Sequence, residues 1–333
     1  MSQTTFQSSP ERDLHRKQEK ARLRNDAAYI GALSLTLTLV MQYAFTFIVT
    51  ILVKYGVFSA ENVRKPYLGL DNTTYMFLYM AVYTLTLLLP TLIVSFSFKK
   101  RFFPFSPAKS VPFGVAFFGI LAAIGLCMLA NIINSYVIYF FSELGWKVPA
   151  APQTMVETPT SLALNLFTIA VLPALLEEMI YRGYILRTLR PYGNMFAVVV
   201  SSLLFSLMHG NLRQIPFAFM VGLVLGLLYV STNNIWLPIA VHFANNSISV
   251  LMEYFAFSLS DVYQSLFYVL VIYGLIAVGI LATIILLAGY LKHLRLKRVN
   301  TSLNIFGRWG SILSSPLFVT ALLLYILFLI MES

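Results

Sequence analysis

Residues 265–291 of this chain are SLFYVLVIYGLIAVGILATIILLAGYL, an apolar run without one charged side chain. At a helical rise of about 1.5 Å per residue it is roughly 40 Å long, more than the roughly 30 Å of hydrocarbon in a bilayer. In hydrocarbon a backbone must satisfy its own N–H and C=O groups, so only helices and closed barrels span. Leu and Ala fill the run without period-2 alternation, which excludes the barrel. Similar runs recur outward from it, from near Tyr29 to Met331. Over the 333 residues, 59% are hydrophobic and 11% charged, a surplus of apolar surface that must face lipid.

The runs fall at about 29–53, 75–98, 112–141, 161–190, 195–209, 215–230, 235–256, 265–291 and 313–331. The fold class is therefore all-α, a polytopic transmembrane helix bundle of about eight or nine spans. Residues 1–28 form a basic polar N-terminal arm, with Arg12, Arg16, Lys17, Lys20, Arg22 and Arg24 among Glu11, Asp13, Glu19 and Asp26. They are too polar for a signal peptide, and the apolar run after them exceeds the ~7–15-residue core of a cleavable one. Residues 29–333 make a single transmembrane domain, since neither a linker nor an internal repeat divides them. Basic residues set the orientation. Lys99, Lys100, Arg101, Lys109, Arg187, Arg190, Lys292, Arg295, Lys297, Arg298 and Arg308 fall on the side of the arm, against Lys54, Arg64, Lys65, Lys147 and Arg213 opposite. The N-terminus is expected to be cytoplasmic. The net charge of +10 serves topology and anionic lipid, with the bilayer as partner and no nucleic acid. Cys127 lies inside an apolar run, so neither a disulfide framework nor a thiolate cluster arises.

Chemistry concentrates in residues 177–246. Glu177 and Glu178 are adjacent in the 161–190 run, and Arg182 follows Glu178 by one helical turn. A charge at bilayer depth costs at least ~2.5–3.5 kcal/mol, so these groups are expected to face protein or water and to have partners. Arg182 favours the ionised form of Glu178. Glu177, about 100° away around the helix, is then the carboxylate poised to exchange a proton. His209 ends the 195–209 run with Phe205 four residues before it, and His242 precedes Asn246 by four in the 235–256 run. Two carboxylates, an arginine, two imidazoles and an amide on three apolar helices are the parts for water activation and oxyanion stabilisation.

Each part also has a plain structural reading. Glu178–Arg182 serves equally as an intrahelical ion pair, a membrane histidine as an interhelical hydrogen bond, and Asn245 and Asn246 as backbone caps near a kink at Pro238. Their coincidence in one stretch favours a site.

Glu177–Arg182 is Glu-Glu-x-x-x-Arg, Phe205–His209 is Phe-x-x-x-His and His242–Asn246 is His-x-x-x-Asn. In that order, on separate helices, these motifs resemble the CPBP family, which contains type II CAAX prenyl endopeptidases and bacteriocin-processing or immunity proteins. The resemblance covers a core of about 160–260 and implies an intramembrane protease of a bacterial cell membrane. Carried over, Glu177 is the general base, assisted by His209. Glu178 and Arg182 position the helix, while His242 and Asn246 donate to the oxyanion. The implied substrate is a peptide or protein, with a lipidated one left open. The family is often labelled metallopeptidase, but the His-Glu-x-x-His helix is missing here. The preferred reading needs no cofactor, and zinc stays open with Glu177, His209 and His242 as candidate ligands.

Two other readings compete. A proton-coupled transporter uses intramembrane Glu and His as a relay, though it should show paired broken helices in inverted repeats. A noncatalytic immunity or scaffold protein on the same fold is the other. Counted at uniform helical rise from their inside ends, Glu177 and His209 lie about 20 Å deep and His242 about 10 Å. One site then requires the 191–194 or the 231–234 turn to sit away from the interface.

Overall fold

The computed structural model describes residues 9–57, 59, 61, 66–100, 109–146, 148, 156, 158–294, 296 and 299–332, and among them there is no strand. Helix α1, Ser9–Lys54, is one unbroken rod of 46 residues. The stretch expected as a solvated arm is, from Ser9 on, its first turns, and it packs one face. Leu23 and Ala27 are fully buried, and Asp26 accepts from Lys100 Nζ and Tyr192 Oη at 2.7 Å each. Helix α2, Asn72–Ser97, is capped by Asp71, whose side chain accepts from Thr74 N at 3.0 Å. Hydrogen bonds from Thr74 hold the Asp71 carboxyl below the usual range. Helix α3 is Phe113–Glu143.

Helix α4, Pro159–Tyr192, opens on a capping box between Thr158 and Ser161 with a proline in its first turn. It is α-helical except for two π-helical segments, Leu166–Val171 and Met179–Leu186, and a final 3-10 turn. The turn after it needs Gly193 at φ +133°, a backbone conformation side chains disfavour. Then come α5, Asn194–Leu207, α6, Ile215–Thr232, and α7, Trp236–Ala256. After them follow α8, Asp261–Gly289, α9, Ile305–Leu313, and α10, Pro316–Glu332.

All nine stretches expected as spans are helical, and most of them meet the length and apolarity of a crossing. Among the described residues six helices are long and apolar enough to cross, namely α1, α2, α3, α4, α6 and α8. The pair α9 and α10, bent by 81°, makes a seventh if it is one span. Helix α5 has 14 residues, about 21 Å of rise and short of the hydrocarbon. Helix α7 is 21 residues long, but His242, Asn245, Asn246 and Ser247 in its middle lower its apolarity. Of the basic residues used for orientation, Arg64, Lys65, Arg101, Lys147, Arg295, Lys297 and Arg298 lie outside the described residues.

Helix α1 packs against α2 and α10, α2 packs against α4, and α3 pairs with α8 and packs against α6 and α7. The α3–α8 contact is made backbone to backbone. A Cβ on Gly125 would stand 2.6 Å from the Cα of Gly279, the small-residue approach by which helices associate where no hydrophobic effect drives them. Because no flexible side chain can yield there, Gly125→Val is expected to destabilise the bundle by about 1–3 kcal/mol. Thermal unfolding of the detergent-solubilised protein measures this, and an unchanged midpoint would mean that the helices are not held at that distance.

Candidate active site

The site is built on the π segments of α4. Wide turns strain helical hydrogen bonding, and donors from neighbouring helices answer their carbonyls. Asn246 Nδ2 on α7 donates to the Ile169 carbonyl at 2.9 Å, and Ser201 Oγ on α5 donates to the Tyr181 carbonyl at 2.7 Å. Helix α4 is thereby fastened to α5 and α7 at the level of its carboxylates.

Glu178 and Arg182 are fully buried. Arg182 Nη1 donates to Glu178 Oε1 at 2.9 Å, and Nη2 donates to the Gly222 carbonyl on α6 at 2.9 Å. The guanidinium lies 4.8 Å from the centre of the Phe205 ring, a cation–π contact. Gly222 sits tight against α5, where a Cβ would meet Ser202 at 3.0 Å. His242 Nδ1 stands 2.9 Å from the same Glu178 oxygen. Since a carboxylate paired with arginine only accepts, Nδ1 carries the proton and Nε2 points onward. It points toward Glu177, whose Oε2 is 3.8 Å away, beyond hydrogen-bond distance. Glu177 Oε1 accepts from Tyr83 Oη on α2 at 2.6 Å. His209, just past α5, has Nδ1 2.9 Å from the Phe205 carbonyl. A carbonyl has no proton to give, so Nδ1 donates and Nε2 is left as an acceptor. The Phe205 ring holds both imidazoles edge to face, at 5.1 Å from His209 and 6.0 Å from His242.

Glu177, His209, His242 and Asn246 line one cavity of about 410 Å³ together with Tyr83. Glu178 and Arg182 lie behind it. The expected set is thus brought together, with two amendments. Asn246 does not simply face His242: one of its amide hydrogens is used on the Ile169 carbonyl, and its Oδ1 accepts from Asn245 Nδ2 at 3.1 Å. The mismatch in depth is also closed. Arg190 at the end of α4 hydrogen-bonds Asn233 Oδ1 and the Val230 carbonyl, so the two turns lie within one side chain of each other. The closure is direct: His242 Nε2 stands 3.8 Å from Glu177 Oε2, and the Phe205 ring touches both imidazoles.

Residues 159–248 match the family described as type II CAAX prenyl endopeptidase Rce1-like. This segment runs from the start of α4 through Asn246, so the resemblance seen in the three motifs holds over α4 to α7, while Met41 of α1 and Tyr79 and Tyr83 of α2 line the cavity from outside it. Two curated relatives agree. The putative membrane peptidase YdiL of Bacillus subtilis is 24% identical over 141 residues, 42% of this chain and 57% of the relative. The membrane-embedded CAAX protease MroQ of Staphylococcus aureus is 28% identical over 116 residues, 33% of this chain and 47% of the relative. The chain thus spans about half the length of the curated relatives it matches. No solved structure matches it.

Glu177, His209 and His242, the candidate zinc ligands, all line the cavity. Among the described residues no three of His, Cys, Asp and Glu are grouped to hold a metal ion. Tyr83 was not anticipated. It lies outside the matched segment, but its signal was present: Tyr75, Tyr79 and Tyr83 recur every fourth residue along α2, one face of a helix. Tyr79 and Tyr83 are stacked at 6.0 Å.

Proposed function

We propose that the chain is an intramembrane endopeptidase that hydrolyses a peptide bond with water activated by Glu177. The observation that carries this reading is the single cavity shared by Glu177, His209, His242 and Asn246. Its size is within the roughly 300–1,000 Å³ of small-ligand sites. Glu177 takes a proton from water as the water oxygen bonds to the carbonyl carbon, and His209 Nε2 accepts the water's other hydrogen. The carbonyl oxygen, now an oxyanion, takes hydrogen bonds from His242 Nε2 and the second amide hydrogen of Asn246. For Nε2 to donate while Nδ1 donates to Glu178, the ring acts as imidazolium, which the buried carboxylate stabilises. Collapse of the intermediate breaks the C–N bond, and Glu177 returns its proton to the leaving amine. Substrates are membrane-anchored peptides or proteins, and a CAAX-type peptide, named for the relatives, is the first class to try.

His209→Ala is expected to lower turnover of such a peptide about 100-fold with unchanged thermal unfolding. A folded variant cleaving at the normal rate would remove the proposed role of the imidazole. Tyr83→Phe deletes one hydrogen bond to a carboxylate and is expected to slow turnover about 10-fold. Single-turnover cleavage measures it, and an unchanged rate would make Tyr83 a packing residue only.

A further inference from the structure

Where the polar and apolar halves of α1 meet, a groove of about 560 Å³ opens between α1 and α9. Its α1 wall presents Lys20 and Arg24, one helical turn apart on one face, with Asn25 beside them. None of the three makes an ion pair or hydrogen bond among the described residues, and no acidic side chain lines the groove. The neighbouring groove differs: there Arg12 and Arg16 share the walls with Glu11 and Asp13. The opposite wall is α9, bent 81° from α10 so that it runs across the end of the crossing helix. Its Phe306 is 81% exposed and lines the groove, while Ile312 on its other face is fully buried. Gly307 and Gly310 keep that wall low. An amphipathic helix with an exposed aromatic, set across a bundle at the polar–apolar boundary, belongs in the interfacial layer. Tyr29, one turn beyond Asn25, marks the same level, with Lys100 Nζ 5.1 Å from its ring centre.

We propose that this groove binds the phosphate headgroup of an anionic phospholipid, with Lys20, Arg24 and Asn25 as donors and the exposed face of α9 against the acyl chains. The site is independent of the cavity on α4. Unpaired cations beside a spanning helix attract anionic lipid, each contributing roughly a fivefold gain in affinity.

The full chain, purified in a neutral detergent, is mixed with phosphatidylglycerol or phosphatidylcholine, and lipid retained per protein is read by native mass spectrometry. One phosphatidylglycerol is expected to be retained in preference to phosphatidylcholine. The Lys20→Gln/Arg24→Gln variant is expected to bind it about 30-fold more weakly, while Arg12→Gln/Arg16→Gln keeps it. Gly310→Glu, at a position where a Cβ meets nothing within 4 Å, should expel the headgroup without touching the cations. Equal retention of both lipids, equal loss in the two double variants, or retention by Gly310→Glu would each overturn the site. Displacement by millimolar inorganic phosphate would overturn the lipid as occupant and leave a free anion in its place.

Discussion

Replacing Glu177 with glutamine is expected to lower peptide cleavage by up to about 10⁴-fold, the upper end of what a positioned base contributes. The amide is nearly isosteric with the carboxylate, and its oxygen still accepts from Tyr83 Oη, now at 2.6 Å from Glu177 Oε1. Shape and cavity are kept, and only basicity is removed. Glu177 is suited to this test because, unlike Glu178, it has no arginine within ion-pair distance among the described residues. Its loss of charge therefore strands no buried cation, and the fold should survive. The measurement is single-turnover cleavage of a membrane-anchored peptide, with unfolding of the same preparation followed in parallel. A folded Glu177→Gln protein that cleaves within tenfold of the natural rate would end the glutamate mechanism. It would also restore the noncatalytic reading of the fold.

The helical membrane character was legible because lipid leaves so little choice. A run such as 265–291 can be almost nothing but a spanning helix. The motif helices were legible for a related reason: polar groups as costly as Glu177 and His242 must find one another in an apolar bundle. What composition could not reveal was geometry below the level of a helical turn. The π segments of α4 lie beside Pro173 and around Gly183, residues that disturb a helix without saying that its turns will widen. Asn246 stands out for its place beside His242, but the Ile169 carbonyl that it serves belongs to a different helix and lacks the usual donor four residues on, where Pro173 has no N–H. Tyr83 was hidden by ordinariness, since tyrosines are common in membrane helices. Only its fourfold spacing with Tyr75 and Tyr79 set it apart. Hydropathy finds apolar stretches without their helical lengths, and α5 is apolar while too short to span the hydrocarbon as one helix.

The second large effect separates stability from chemistry at Arg182. Arg182→Met is expected to destabilise the protein by about 3–5 kcal/mol, the usual consequence of leaving one member of a buried ion pair alone. Glu178, fully buried, would keep only His242 as its partner, and the Gly222 carbonyl would lose the donor that ties α6 to α4. The pair itself is imperfectly satisfied, for Glu178 Oε2 and Arg182 Nε have no hydrogen-bond partner among the described residues. Replacing both members with apolar residues, Glu178→Leu with Arg182→Met, should therefore recover much of the lost stability, since such swaps are often neutral or better. Activity should not return with it. His242 would then have no acceptor for Nδ1, its ring would be free to turn, and the imidazolium at the oxyanion would lose the carboxylate that stabilises it. Unfolding in mixed micelles and cleavage by the same samples give the two readouts. If the double variant were stable and active, Glu178 would be a structural ion-pair partner alone, and His242 would need some other support to hold its place at the cavity.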